Sequence, residues 1–234
     1  MLRFLKVLSL TLFLGTLSFF ATSCGSGSQS QIRVVHAISD GPAFDVDING
    51  TKIFTNIGFD SFQPSSGYTK AASGSVTIAV LDTGTTNQVF SSTGSLSGSA
   101  QYTVVLSGFK ANPNAAVIRD TNTAPASGNV EFRIIDASPS GPASVDVYIV
   151  PPGTDITNVT PQISGLGSST QASSYASLTA ATYAVIVTAS GNKTPLVNQN
   201  YTLVSGQIRT LVLIDNLGGG NGMSTFPLEL SDLN

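Results

Sequence analysis

The sequence predicts an all-β protein with two tandem, Ig-like antiparallel β-sandwich domains after a signal peptide. Three observations predict it: the composition, an internal duplication, and short segments with strand periodicity. Charged residues are only 10% of the 234 residues, and Ser and Thr together are about a quarter. Strong helix formers such as Glu, Lys and Arg are therefore scarce, whereas Val, Ile and Thr favour strands. A hydrophobic content of 41% argues against intrinsic disorder.

The first 23 residues predict a lipoprotein signal peptide. Arg3 and Lys6 precede an apolar stretch at 7–20, which is shorter than the roughly 20 residues of a membrane-spanning helix and typical of a signal-peptide core. The following residues, Ala21-Thr22-Ser23-Cys24, resemble the bacterial lipobox, in which the Cys is lipidated and becomes the mature N-terminus. Ordinary signal-peptidase cleavage is the alternative.

Cys24 is the only cysteine of the chain, and residues 24–31 are a Gly-, Ser- and Gln-rich segment that predicts a flexible tether. Acyl chains on Cys24 would anchor the protein to a membrane, since each buried methylene contributes about 0.8 kcal/mol. The position after the cysteine holds Gly25 and not the Asp that retains some lipoproteins at the inner membrane. We therefore expect a lipid-anchored protein of the bacterial cell envelope, at the outer membrane or facing the periplasm.

The rest of the chain contains a duplication. Residues 33–37 (Arg-Val-Val-His-Ala) pair with residues 133–137 (Arg-Ile-Ile-Asp-Ala), and each segment leads to Gly-Pro-Ala. Pairs at a later, constant offset are Tyr68 with Tyr175, Gly84 with Gly191, and 103–106 with 210–213. The extra residues of the second copy fall near 150–167.

The duplication predicts two domains, at 32–123 and 129–234. Residues 122–129 between them are short and rich in turn formers, so we expect the domains to sit end to end. Strands of the first copy are predicted at 32–38, 44–48, 51–54, 75–81, 88–91, 101–106 and 115–119. Asn49-Gly50 predicts a type I′ hairpin turn between the second and third strands.

The opening of the first copy, residues 33–50, reads R-V-V-H-A-I-S-D-G-P-A-F-D-V-D-I-N-G and resembles the bacterial DUF4397 domain. The second copy departs from this pattern, with Asp136 in place of His36 and Val150-Pro151-Pro152 in place of Asn-Gly. The family has no assigned activity. The resemblance therefore implies a secreted or lipid-anchored β-sandwich module and no catalytic residues.

His36 is the only histidine, so a Ser-His-Asp triad would have to use it. No serine lies in a Gly-x-Ser-x-Gly elbow. We interpret His36 as a polar residue that hydrogen-bonds near a strand end or to the following turn.

Asp45, Asp47 and Asn49-Gly50 match the first half of a Ca²⁺-binding EF-hand loop, but its last position holds Asn56 where Glu is needed. On one face of an extended strand the two carboxylates lie about 7 Å apart, which is too wide to chelate one ion easily. His36, Asp45 and Asp47 are therefore weak ligand-site candidates, and we predict no catalytic residue, metal site or cofactor.

The sequence favours a non-enzymatic, lipid-anchored envelope protein with a binding or structural role. Its partners would be the membrane, through Cys24, and an envelope protein or a glycan. Ten basic residues and a net charge of −3 do not support nucleic-acid binding. A carbohydrate-binding or adhesion module is the main alternative, and exposed Tyr68, Tyr148 or Tyr175 on one face would support it. A hydrolase that uses two of Asp45, Asp47, Asp146 and Asp155 is the alternative from another class.

Overall fold

The computed structural model describes residues 28–168, 170–220 and 222–233, so the signal peptide and Cys24 lie outside the described residues. All regular structure in the described part is strand. The strands of the first half (residues 30–120) are β1 (Ser30–His36), β2 (Phe44–Ile48), β3 (Thr51–Ile57), β4 (Ser61–Gln63), β5 (Thr69–Ala71), β6 (Gly74–Asp82), β7 (Gln88–Leu96), β8 (Gln101–Phe109) and β9 (Asn112–Asp120). Those of the second half (residues 129–233) are β10 (Asn129–Asp136), β11 (Ser144–Val150), β12 (Ile163–Gly167), β13 (Gln171–Ala172), β14 (Ala176–Thr179), β15 (Thr182–Ala189), β16 (Pro195–Thr202), β17 (Ile208–Leu213) and β18 (Leu228–Leu233). None of the described segments is a helix that is long and apolar enough to span a membrane.

Each half forms two sheets with the same strand order. In the first half, inner sheet 1 has the order β4-β1-β8-β9, with β5 also on β1, and outer sheet 1 has the order β3-β2-β6-β7. In the second half, inner sheet 2 is β13-β10-β17-β18, with β14 on β10, and outer sheet 2 is β12-β11-β15-β16. The predicted all-β class with two sandwiches is confirmed. The pairs β1–β8 and β10–β17 are parallel, however, whereas the other pairs are antiparallel.

Each half has its own apolar core between its inner and outer sheets. Strand β2 shows how the sequence builds it, since Phe44, Val46 and Ile48 point into the core of the first half while Asp45 and Asp47 alternate with them. The second half repeats the arrangement with Val145 and Val147 in its core. The hairpin after β2 has φ angles of 51° at Asn49 and 75° at Gly50, which confirms the predicted turn.

The two inner sheets pack face to face and add a third core between the halves. Val35 and Val105 of the first half meet Ile135 and Val212 of the second half there. The expectation that the domains sit end to end is therefore wrong. Strand β1 is buried on both faces, because Ile32 and Val34 enter the core of the first half while Val35 and Ala37 face the second half. Burial on both faces places apolar residues on both sides of the strand, as the neighbouring Val34 and Val35 show, in place of a strict alternation.

Candidate functional site

Two arginines occupy the contact between the halves, and they explain the Arg that opens each repeat. Arg33 is 1% exposed, and its Nη2 atom forms an ion pair with Asp232 of the second half. Its Nε atom donates to Thr103 Oγ1 at 2.8 Å, and its Nη1 atom donates to the carbonyl of Ser231 at 2.9 Å. Burial alone would lower the pKa of Arg33, but Asp232, Tyr68 and Asp120 together outweigh it and raise the pKa. The guanidinium therefore stays charged inside the protein.

Arg133 of the second half makes the equivalent contacts. Its Nη2 atom pairs with Asp120 of the first half, its Nε atom donates to Thr210 Oγ1 at 2.9 Å, and its Nη1 atom donates to the carbonyl of Arg119 at 3.1 Å. Each half thus gives one Arg and receives one Arg, as in the contact of a two-fold symmetric dimer. We call these four charged residues the clamp: Arg33, Asp120, Arg133 and Asp232.

Two tyrosines that were candidates for a sugar-stacking surface contact the clamp. The ring of Tyr68 lies 4.9 Å from the guanidinium carbon of Arg33, and its hydroxyl donates to Asp120 at 2.7 Å. The ring of Tyr175 lies 4.6 Å from the guanidinium carbon of Arg133, and its hydroxyl donates to Asp232 at 2.7 Å. Burial, followed by the nearby carboxylates, raises the pKa of each tyrosine. Both rings are half-buried, with one face toward an arginine, and Tyr175 also lines a surface cavity of about 430 Å³.

His36 is buried, and both of its ring nitrogens have partners. Its Nε2 atom lies 2.8 Å from the carbonyl oxygen of Pro42, and its Nδ1 atom lies 3.2 Å from the backbone nitrogen of Ile38. Only the neutral ring, with the proton on Nε2, makes both hydrogen bonds. Burial also lowers the pKa of His36. The ring stacks on Phe44 at 4.8 Å, so His36 holds the turn after β1, as the turn-bonding interpretation predicts.

Asp136 occupies the position of His36 in the second half. Its Oδ1 atom accepts a hydrogen bond from the backbone N–H of Ser138 at 3.1 Å, which is the counterpart of the bond from Ile38 to His36. Its Oδ2 atom is buried and has no hydrogen-bond partner among the described residues. Burial, followed by the charge of Asp215, raises the pKa of Asp136 to about 7. Both halves therefore favour an uncharged hydrogen-bond acceptor at this position.

Asp45 is held within its own half by three hydrogen bonds. Its carboxylate accepts hydrogen bonds from Lys52 Nζ at 2.7 Å, from the N–H of Asn56 at 2.8 Å and from the N–H of Gly84 at 3.1 Å. Burial alone would raise the pKa of Asp45, but these donors outweigh it and lower the pKa to about 2. Asp146 is its counterpart and accepts from the N–H of Gly191 at 2.8 Å.

Asp47 lies on the same face of β2 as Asp45 and does not join it in a metal site. Asp47 is half-buried, and its Oδ1 atom has no partner among the described residues. The described part of the chain contains no group of three or more His, Cys, Asp or Glu residues that could hold a metal ion.

The second half carries an insertion, residues 151–162 between β11 and β12, that folds over the outer face of outer sheet 2. Ile156 of the insertion packs on Tyr148, Val150, Ala184 and Ile186 of the sheet. Tyr148, the third tyrosine of the sugar-stacking hypothesis, is thereby buried. Lys193 covers its ring at 4.4 Å and donates to the carbonyl of Val159 at 2.6 Å, which ties the insertion down.

A groove of about 670 Å³ lies beside the insertion on this outer face. Ala184 and Ile186 line it but are only 2% and 5% exposed, with Ile156 packed on them, and β16 supplies the exposed amides of Asn198 and Asn200. Residues 153–155 of the insertion form the opposite wall. A groove whose exposed groups are mainly polar suits a ligand with several hydroxyls, because an amide both donates and accepts hydrogen bonds.

Asp155 is the one carboxylate among the residues that line the groove. Hydrogen bonds from the hydroxyl and N–H of Thr157 lower the pKa of Asp155, so it is ionised at neutral pH. A glycoside hydrolase that works through paired carboxylates needs a second carboxyl group beside the first. The other three aspartates of the hydrolase hypothesis, Asp45, Asp47 and Asp146, are not among the lining residues.

The sequence did not predict this groove. Its signals were present, because the insertion is the place where the two copies differ in length, and Asn198 and Asn200 alternate along β16. The counterparts of these two residues in the first half are Ser91 and Thr93, which are also exposed. Which strand faces the insertion, however, depends on strand pairings that are distant in sequence.

The chain is thus an all-β protein of two duplicated sandwiches with a buried ionic contact between them. A family model described as "Domain of unknown function (DUF4397)" matches residues 30–148. The chain belongs to this family, and the resemblance of its opening segment is confirmed. No curated protein matches the chain.

Two solved structures show low similarity to the chain. One is CBMbc, of family CBM26, from Eubacterium rectale Amy13K in complex with maltoheptaose, with 14% identity, a TM-score of 0.30, and coverage of 88% of this chain and 98% of that chain. The other is a structure described as "Alpha-glucan recognition by family 41 carbohydrate-binding modules from streptococcal virulence factors". It has 10% identity, a TM-score of 0.28, and coverage of 84% of this chain and 97% of that chain. Similarity at this level does not identify a ligand for the present protein.

Proposed function

We propose that this protein is a lipid-anchored, non-enzymatic binding protein of the bacterial cell envelope. Its ligand is a polyhydroxylated molecule such as a glycan, and it binds in the groove of the second half. The single observation that carries the binding role is the groove between the wall of residues 153–155 and the exposed amides of Asn198 and Asn200. His36 and Asp45, two of the weak ligand-site candidates of the sequence, hold turns of the fold.

The shape of the groove favours recognition through hydrogen bonds. None of the three tyrosines considered for aromatic stacking is among the residues that line the groove. A sugar would therefore be held mainly by hydrogen bonds between its hydroxyls and Asn198, Asn200 and the ionised Asp155. Without an aromatic platform we expect modest affinity for one sugar unit.

The binding proposal is tested with the purified chain that starts at residue 24 and carries Cys24→Ser. We expect hits on a glycan array, and we expect Asn198→Ala/Asn200→Ala to weaken binding about tenfold, since each lost hydrogen bond contributes about 0.5–1.5 kcal/mol. The matched control is Ser91→Ala/Thr93→Ala, which alters the same positions of the first half and leaves binding unchanged. No hit on the array, or equal loss in both variants, would contradict the proposal.

The anchor is supported by the lipobox-like segment and by Cys24 as the only cysteine. We expect the protein to incorporate labelled palmitate in bacteria and to fractionate with membranes. Cys24→Ala, or treatment with globomycin, should abolish the label and release the protein from the membrane fraction. If the variant fractionates like the wild type, the anchor proposal is wrong. This result would leave the binding proposal standing, because the glycan assay uses soluble protein.

A further inference from the structure

Two related clefts lie at the end of the molecule where the strands β1 and β10 finish. Each cleft is bounded by turn residues of one half and by the strand connection of the other half. The first, which we call the occupied cleft, is defined by Ala37, Ser39 and Asp60, the residues of the first half that are equivalent to three lining residues of the second cleft. The second, which we call the open cleft, contains the counterparts Ala137, Pro139 and Thr170 of the second half.

The turns of both clefts have the same backbone geometry. Asp60 and Thr170 both have left-handed φ angles, of 57° and 64°. The N–H of Asp60 donates to the carbonyl of His36 at 3.0 Å, and the N–H of Thr170 donates to the carbonyl of Asp136 at 2.8 Å. The two halves therefore build the same framework on each side.

The occupied cleft is filled by the protein's own chain. The connection from β17 to β18, residues 214–227, reaches across to the first half. The N–H of Gly218 donates to the carbonyl of Ser39 at 2.9 Å. A Cβ atom at Gly219 would lie 2.9 Å from the Cβ of Asp40, so this close approach requires glycine. The occupant is thus a glycine-rich segment that contacts the turn through its backbone.

The open cleft has no such occupant among the described residues. The corresponding connection, from β8 to β9, is only residues 110–111, which is too short to cross to the second half. A cavity of about 320 Å³ remains. The carbonyl of Pro139, the counterpart of Ser39, accepts no hydrogen bond from the described part of the chain. The carbonyl of Ser39 binds Gly218 in the occupied cleft, whereas the equivalent carbonyl of Pro139 is available in the open cleft.

The lining of the open cleft is polar. Ser107 of the first half and Thr170 of the second half share a hydrogen bond across it. The exposed amides of Asn112 and Asn114 lie at the same cavity. In the occupied cleft the counterpart of Ser107 is the buried, apolar Ile214. Side-chain amides pair well with the alternating N–H and C=O groups of an extended peptide.

We propose that the open cleft binds an extended, glycine-containing peptide segment of a partner protein. The segment would take the place that Gly218 and Gly219 hold in the occupied cleft, with a backbone N–H on the carbonyl of Pro139. This site is separate from the groove of outer sheet 2, since the two share no lining residue. The proposal does not depend on the function proposed for that groove.

The test is an NMR titration of the ¹⁵N-labelled chain from residue 24, with Cys24→Ser, against a synthetic peptide of residues 214–220 (Ile-Asp-Asn-Leu-Gly-Gly-Gly). We expect shifts at Asn112, Ala137 and Thr170, with a Kd on the order of 0.1–1 mM, because a short flexible peptide loses much freedom on binding. A peptide with Pro at the position of Gly218 lacks the N–H and should bind at least about tenfold more weakly.

Blocking variants complete the test. Asn114→Trp and Asn112→Trp each place a large ring at the cavity, and each should abolish the shifts while the rest of the spectrum reports an intact fold. Asn198→Ala/Asn200→Ala, in the other groove, should leave the titration unchanged. The proposal would be overturned if millimolar peptide caused no shifts in the wild type. It would also be overturned if both Trp variants showed shifts as large as those of the wild type. Shifts that map only to outer sheet 2 would overturn it as well.

Discussion

The two halves of this protein carry the same nine strands in the same order, and they differ mainly where chain is added. The second half has the insertion 151–162 after β11 and the longer connection 214–227 before β18. The first half has a two-residue turn at each of these places, Asn49-Gly50 and residues 110–111. The added chain creates the groove in one case and fills a cleft in the other. Shared features thus maintain the fold, and the differences make the candidate binding sites.

The shared features all have a physical role in the fold. Arg33 and Arg133 join the halves through the clamp. Gly84 and Gly191 each give an N–H to the buried Asp of their half, Asp45 or Asp146, and each has a left-handed φ angle. The comparison therefore predicts equal effects for equivalent changes at shared positions and unequal effects where the halves differ.

The largest effect should come from the clamp. Arg33→Met and Arg133→Met each leave a buried carboxylate without its main partner, which costs about 3–5 kcal/mol. Urea denaturation followed by circular dichroism would measure it, and the two variants should lose the same amount. The double variant Asp120→Leu/Arg133→Met removes both charges of one pair and should be more stable than Arg133→Met. Unequal losses for the two single variants would show that the halves do not share the contact equally.

The next effect concerns pH, where the two halves should behave in opposite ways. The raised pKa of Asp136, about 7, means that the folded protein holds a proton that the unfolded chain releases near pH 4. The contribution of Asp136 to the free energy of unfolding is fully present below pH 4. It is lost as pH rises toward 7, by at most about 1.4 kcal/mol per pH unit. The lowered pKa of His36 gives stability above pH 6.5 that is lost as pH falls through its folded pKa.

Urea denaturation between pH 4 and pH 8 would separate these two contributions. Asp136→Asn should remove the loss toward neutral pH and stabilise the protein at pH 8. His36→Asn should flatten the loss on the acid side, because the Asn side chain does not titrate. Asn also keeps an acceptor for the N–H of Ile38, so the turn should be preserved. A pH profile that Asp136→Asn does not change would mean that this carboxyl is already ionised and solvated in the folded protein.

A smaller effect should come from the insertion, which only the second half possesses. Ile156→Ala removes apolar contact with Tyr148 and Ile186 and should lower the free energy of unfolding by about 2 kcal/mol. Loosening of residues 153–155 should weaken ligand binding in the groove at the same time. Asp155→Asn is the control, since it keeps an acceptor for Thr157 and should change stability by less than about 0.5 kcal/mol. Unchanged stability in Ile156→Ala would mean that the insertion does not pack on the sheet.

The smallest effect should come from the paired glycines. Gly84→Ala and Gly191→Ala each force a side chain into a left-handed backbone, with φ of 74° and 76°. No atom lies within 4 Å of the added Cβ at either position, so strain alone should cost about 1 kcal/mol in each. Thermal denaturation should give the same shift for both variants. A larger loss at one position would indicate that its Asp, Asp45 or Asp146, holds its turn differently.

Much of the fold could be predicted from local sequence. The alternation along β2 and the Asn49-Gly50 turn are local patterns, and both appear as predicted. The short strands β4 and β5 were not predicted, because three polar or mixed residues are too few to show a periodicity. The parallel pairing of β1 with β8 was not predicted either, since those strands are about 70 residues apart and no turn sets their register.

The candidate sites were less predictable than the fold. His36 and Asp45 attracted notice as residues of reactive types, and the structure uses both for turns. Asn198 and Asn200 were not among the residues predicted from sequence and became candidates only because the insertion lies across the sheet from them. Exposed amides are frequent in a chain of low charge, so their position in space, and not their identity, distinguishes them.

The sequence by itself determined most of the strands, the duplication and the Asn-Gly turn, and it predicts export and anchoring through Cys24. These properties depend on periodicity, on turn chemistry and on short motifs, all of which act within a few residues. Only the tertiary structure decided that the halves pack through their inner sheets, that Arg33 meets Asp232, and that one cleft is filled while the other is open. These contacts join residues far apart in the chain, and they form only where the burial of apolar faces has brought both strands together.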